Sequence, residues 1–77
     1  MHQVRTLNDL QQGETAYVAA LSARGSMRRR LQDIGVIEGT PISHLFASPA
    51  GDPVAYLIRG AVIALRAEDA ATVFIDS

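Results

Sequence analysis

The chain has 77 residues, seven basic against eight acidic side chains for a net charge of -1, 48% apolar residues, and neither cysteine nor tryptophan. That length supports one small domain, in which folding removes only about 60% of the surface an unfolded chain exposes. Without cysteine there is no disulfide or thiolate metal site to brace it, and the apolar fraction and balanced charge exclude intrinsic disorder. The longest strictly apolar run, Ala16 to Leu21, falls far short of the roughly 20 residues of a membrane-spanning helix. The first ten residues also lack an apolar signal core, so a soluble, cytoplasmic protein is expected. All seven cations are arginine, a pattern that compositional bias explains as well as bidentate anion recognition does.

Glycines and prolines cut the chain into short segments. Thr6 is placed to cap a single helical turn ending near Leu10, with Asp9 three residues on. From Glu14 to Leu21 the chain reads as a strand, with Ala16, Val18 and Ala20 on one face at period two. The period then changes. Met27, Leu31 and Ile34 form one stripe of an amphipathic helix over Ser26 to Ile34, with Ser26 as N-cap, Gly35 as the left-handed residue after the helix, and Val36 placed to touch Leu31.

Three strands follow, Ile42 to Ala47, Val54 to Arg59 and Ala61 to Arg66, joined through Ser48 to Pro53 and through Gly60. A turn at Ala67 to Ala70 leads to a last strand, Thr72 to Ile75. About five short antiparallel strands with one helix inserted after the first predict a mainly β fold, a small and partly open barrel of the SH3-like kind.

No nucleophile stands with a base and orienting group, no glycine-rich phosphate loop is present and no acid pair recurs, so no catalytic residue is assigned and an enzyme is not expected. His2 and His44 are the only imidazoles, too few for a ferrous site, which wants several histidines and carboxylates together. His2 reads as a terminal residue and His44 as one at the edge of the core, so no metal or cofactor is expected.

Alternation turns Ile42, Phe46, Val54, Tyr56, Ile58, Ile63 and Leu65 toward the core and leaves Leu45, Ala47, Ala55, Leu57 and Val62 facing out. These are apolar where a solvated face would be polar. Singly exposed apolar residues are ordinary, but adjacent strands can merge these into a protein-binding patch centred on Leu57. Arg28, Arg29 and Arg30 make the one cationic cluster and flank that patch as a second binding element. Arg29 can pair with Asp33 four residues on, worth about 0.3 kcal/mol, and a solvated helical face is the plainer reading of all three.

Three pieces of sequence stand out together: Arg30-Leu31-Gln32-Asp33-Ile34-Gly35 with Gly39 after it, Pro49-Ala50-Gly51-Asp52-Pro53, and Ala64-Leu65-Arg66 followed by Glu68-Asp69-Ala70. In this order and spacing they resemble the FeoA family, small cytoplasmic proteins associated with bacterial ferrous iron transport. The resemblance runs from about Thr6 to Ile75. It implies a non-enzymatic accessory protein that docks on the cytoplasmic, GTPase-bearing region of the FeoB permease and modulates its activity or assembly, at the inner membrane only through that partner. Self-association is a second use of the same patch.

Two other readings stand beside it. Similar domains occur in metal-dependent transcriptional repressors, a system this chain would serve only in trans or as a fragment, since no helix-turn-helix segment precedes its barrel. A nucleic-acid-binding barrel is disfavoured by the net charge and by only four aromatic residues, Tyr17, Phe46, Tyr56 and Phe74, at least three of which share parity with core positions.

Overall fold

The computed structural model describes residues 5–76. A single 3-10 turn at Leu7–Asp9 precedes β1 (Thr15–Leu21), α1 (Gly25–Asp33), β2 (Pro41–Ala47), β3 (Val54–Ile58), β4 (Ala61–Leu65), α2 (Ala67–Ala70) and β5 (Val73–Asp76). The strands form one antiparallel sheet in the order β4-β3-β2-β1-β5, open between its edges, as the alternating pattern and short loops predict. No helix among the described residues is long and apolar enough to cross a membrane.

Each element ends for a local reason. The Thr6 hydroxyl accepts from the Asn8 N–H at 3.3 Å while the Asp9 carboxylate accepts from the Thr6 N–H at 2.9 Å, the predicted capping box. Helix α1 closes in a Schellman motif: the Val36 N–H donates to the Leu31 carbonyl at 2.9 Å and the Gly35 N–H to that of Gln32 at 3.0 Å. Leu31 and Val36 are both buried in the core there. Gly35 has a φ of +103°, which favours glycine, and a Cβ there would force the stem of the exposed Arg59 to shift.

The start of α1 differs from expectation. The helix begins at Gly25, with Arg24 in the capping position and no side-chain cap bond. Ser26 is therefore the second helical residue, and its helical backbone cannot serve as N-cap. Beyond α1, β3 and β4 join through the two residues Arg59 and Gly60, with φ of 51° and 82°. Positive φ at both positions is the tight turn whose twist matches a hairpin. A longer turn joins β2 to β3, closed by the Gly51 N–H to the Ser48 carbonyl at 2.8 Å and the Ser48 N–H to that of Pro53 at 3.0 Å.

The core draws on every layer. Tyr56, Leu7, Leu31, Ile42, Ile58, Val18, Val36 and Val73 are fully buried, with Met27, Ile34, Val54 and Ile63 packed against them. Met27, Leu31 and Ile34 thus form the predicted stripe. Two departures come from register shifts. Against β5, the pairing of β1 slips between Val18 and Ala20, so Ala20 leaves the face it was expected to share with Ala16 and Val18 and is exposed. Against β3, the pairing of β2 slips between His44 and Phe46. Leu45 is the extra residue there and alternation reverses beyond it, so Phe46, expected in the core, is 55% exposed.

Tyr56 ties the sheet to the N-terminal turn. Its hydroxyl donates to the Leu7 carbonyl at 3.3 Å, and burial, with the nearby Asp52 carboxylate second, raises its pKa above the ordinary 10.0. Asp52 itself accepts from the Ala67 N–H at 2.8 Å at the start of α2, whose Ala67 carbonyl takes the Asn8 side-chain amide at 2.9 Å.

Two outcomes are expected in chemical denaturation. Gly35→Ala should cost about 2 kcal/mol or more, from positive φ and the Arg59 stem together. Tyr56→Phe should cost about 1 kcal/mol at neutral pH. Because the folded state holds the Tyr56 proton more tightly than the unfolded chain does, the tyrosine's contribution is complete below pH 10 and is lost as pH rises from there through the raised value. Tyr56→Phe should flatten that alkaline decline.

Candidate protein-binding site

Residues directly opposite each other in a sheet share a face, so the register across β2, β3 and β4 defines the outward surface in rows. One row runs Thr15, Ser43, Leu57, Val62, and the next runs Phe46, Ala55, Ala64. Along the first, Thr15 and Ser43 join hydroxyls at 2.7 Å, while Leu57 and Val62 are 37% and 61% exposed. Phe46, Leu57 and Val62 thus stand together on one side of the sheet around a floor of alanine, bordered on the β1 side by the Thr15 and Ser43 hydroxyls and, two residues on, the exposed Tyr17.

The expected patch is only partly this one. Leu57 and Val62 are outward and exposed. Ala55 is outward by register but only 8% exposed, and it is not part of the main core. Leu45, the bulged residue, is half-buried. Ala47, expected outward, pairs with Val54 on the core-facing side and is exposed only because it ends its strand. Phe46, the largest side chain of the patch, replaces it. Nothing in the local sequence marks the bulge that turns Phe46 outward.

The arginines do not act as one cluster. Successive helical residues point about 100° apart, and Arg28 and Arg30 border different clefts. Arg28 donates to the Leu21 carbonyl at 3.1 Å in a cleft with Ala19, Ala20, Gln32, Ile37 and Glu38. Arg30 and Met27 line another with Pro53, Ala64, Arg66, Glu68 and Asp69. Of the three, Arg30 thus shares a cleft with Ala64, a residue of the outward rows. Arg29 is exposed, and its expected pairing with Asp33 is absent: the ion pair among the described residues is Arg5 with Glu14 at 3.9 Å.

His44 is half-buried and meets the Tyr56 ring edge-on at a centroid distance of 5.7 Å, with Nδ1 unpaired. This is the core-edge position expected. His2 lies outside the described residues. The aromatic residues are less internal than their parity suggested, since Phe46 and Tyr17 are exposed and Phe74 is half-buried.

An open antiparallel sheet of five strands, with a helix between the first two and a helical turn before the last, is the architecture of a small SH3-like β module. The chain belongs to the FeoA domain family, whose model matches residues 5–77. A Porphyromonas gingivalis protein described as a Fe(2+) transport protein A/Fe(2+) transporter FeoB fusion is 33% identical over 91% of this chain, which spans only 8% of that protein. Among solved structures, the FeoA protein of Chlorobium tepidum is 30% identical with a TM-score of 0.86, over 92% of this chain and 68% of that one. FeoA of Stenotrophomonas maltophilia, solved with zinc and described as an SH3 domain protein, is 26% identical with a TM-score of 0.82, over 94% and 89%.

The face assignment has a direct check. Leu57→Asp should cost no more than about 1 kcal/mol of stability, as an exposed strand position allows. Ile58→Asp, one residue on and fully buried, should prevent folding, and circular dichroism with denaturant titration separates the two.

Proposed function

We propose that the chain is a non-enzymatic accessory protein of bacterial ferrous iron uptake. It docks on the cytoplasmic, GTPase-bearing region of a FeoB-type permease and modulates that permease's activity or assembly. The supporting observation is the relative in which a Fe(2+) transport protein A and a Fe(2+) transporter FeoB form one chain. Covalent linkage holds two modules at millimolar effective concentration, and two separate chains doing the same work need an interface of their own.

Phe46, Leu57 and Val62 supply the anchors of that interface. Full burial of a side chain of this size is worth about 1.5–3 kcal/mol, and aromatic and large aliphatic anchors carry most of the energy of small interfaces. Leu45 and Ala55 lie within or beneath the patch, Arg30 and the Thr15 and Ser43 hydroxyls form a polar rim, and Arg28, Arg29 and Ala47 lie at its periphery. A modulator must also bind two states of its partner unequally. The partner's nucleotide cycle supplies those states, and the chain works in the cytoplasm, held at the inner membrane by the permease.

Calorimetric titration into the purified cytoplasmic region of the cognate permease, loaded with GDP or a non-hydrolysable GTP analogue, tests this. Binding should differ between nucleotides and weaken at least about tenfold in Leu57→Asp, a loss of about 1.4 kcal/mol. Absence of binding in both forms, or full affinity in a folded Leu57→Asp chain, would remove the proposal.

A further inference from the structure

The two edges of the sheet are treated differently. Along β5 the chain covers its own edge: Thr6 bridges Phe74, and the Ile75 N–H donates to the Arg5 carbonyl at 3.0 Å. Along β4 nothing among the described residues pairs with the far side. That strand reads Ala-Val-Ile-Ala-Leu, carries no charge and no proline, and runs beside β3 without a bulge. Charges, prolines and bulges are the usual means by which an exposed edge is kept from pairing.

The hairpin fixes which main-chain groups are free. Across a two-residue turn the flanking residues form a hydrogen-bonded pair, and such pairs alternate along an antiparallel ladder. Ala61, Ile63 and Leu65 therefore bond to Ile58, Tyr56 and Val54. Val62 and Ala64 turn their N–H and carbonyl groups outward, and no other main-chain bond engages them.

We infer that this edge is a strand-pairing site, and that its occupant is β4 of a second copy of the chain, antiparallel about a two-fold axis at Ile63. The register is self-complementary. Val62 stands opposite Ala64 of the second copy, and Ala64 opposite its Val62, so the two free residues of each strand meet as hydrogen-bonded pairs and make four main-chain bonds. Between them Ile63 meets its own counterpart in the closer, non-bonded position, where β-branched side chains pack well. Arg66 falls opposite Gly60, so no like charges are set directly against each other. On the outward face the row ending in Leu57 and Val62 continues into Ala64, Ala55 and Phe46 of the second copy. The apolar surface thus crosses the seam without being consumed by it.

A seam five residues long is small, and the pair it makes is weak and concentration-dependent, unlike an obligate dimer. The inference stands apart from permease docking, because it uses the edge of β4 and leaves the side chains of Phe46 and Leu57 free.

The test follows the isolated chain from micromolar to millimolar concentration by sedimentation velocity and amide hydrogen exchange. A dimer should form at the upper end, and protection of the Val62 and Ala64 amides should rise at least about tenfold with it. Ala64→Pro removes a donor that points away from β3, which an edge strand tolerates, and should leave a monomer at every concentration. A backbone N-methyl group at Ala64 in the synthetic chain does the same without fixing φ, and it decides the matter if the proline variant does not fold. Leu57→Asp should dimerise normally, which separates this result from loss of permease docking. A wild-type chain that stays monomeric at millimolar concentration would overturn the inference. So would a dimer that persists in a folded donor-less chain, or one whose protection maps to another element.

Discussion

A β-strand has two faces and a single period, and β3 commits both. Val54, Tyr56 and Ile58 point into the core while Ala55 and Leu57 point out, so no shift that preserves one set can alter the other. In a domain this small the core needs Tyr56 and Ile58 fully enclosed, and that requirement is what holds Leu57 at the surface. Exposure of the apolar patch is thus a by-product of the packing that encloses Tyr56 and Ile58. On the β4 side the pairing is regular throughout. On the β2 side a bulge brings Phe46 into line with Ala55.

Local chemistry made much of this fold legible. The Thr6 and Asp9 cap, the Schellman ending at Gly35 and Val36, the Met27, Leu31 and Ile34 stripe and the tight turn at Gly60 each carry their own signal within a few residues. The resemblance to the family shares only the helix ending at Gly35 with these features; its other pieces are the Pro49 to Pro53 turn and the Ala64 to Ala70 segment. What escaped was set by pairing between distant segments. A bulge costs one residue of register and has no compositional mark of its own, so the slip at Leu45 misplaced Phe46 and Ala47, and the slip in β1 misplaced Ala20. The arginine run failed differently: three neighbours in sequence look like a cluster, but the helix spreads them around its axis, and of the three Arg30 shares a cleft with Ala64 of the outward rows. The outward apolar positions were therefore readable at Leu57 and Val62, where alternation is uninterrupted, and unreadable one strand away.

Seen as a binding module, the chain separates its stabilising and its recognising parts. The hydrogen bonds that join the N-terminal turn, the loop before β3 and the start of α2, through Leu7, Asn8, Asp52 and Ala67, all lie away from the outward rows. Side chains on those rows make few demands on the fold, which lets an interface vary its chemistry without loss of the scaffold. The same division suits a domain found both alone and inside a larger transporter chain.

The strap formed by Arg5 and Thr6 along β5 has a topological consequence. A molecule with one free edge can add one neighbour across a two-fold axis, and assembly stops there, because the pair presents only covered edges outside. A molecule with two free edges has no such stopping point. Among the described residues, two ahead of the first helical turn separate closed pairing from an open-ended ribbon, and their loss would change the order of the assembly, not merely its strength.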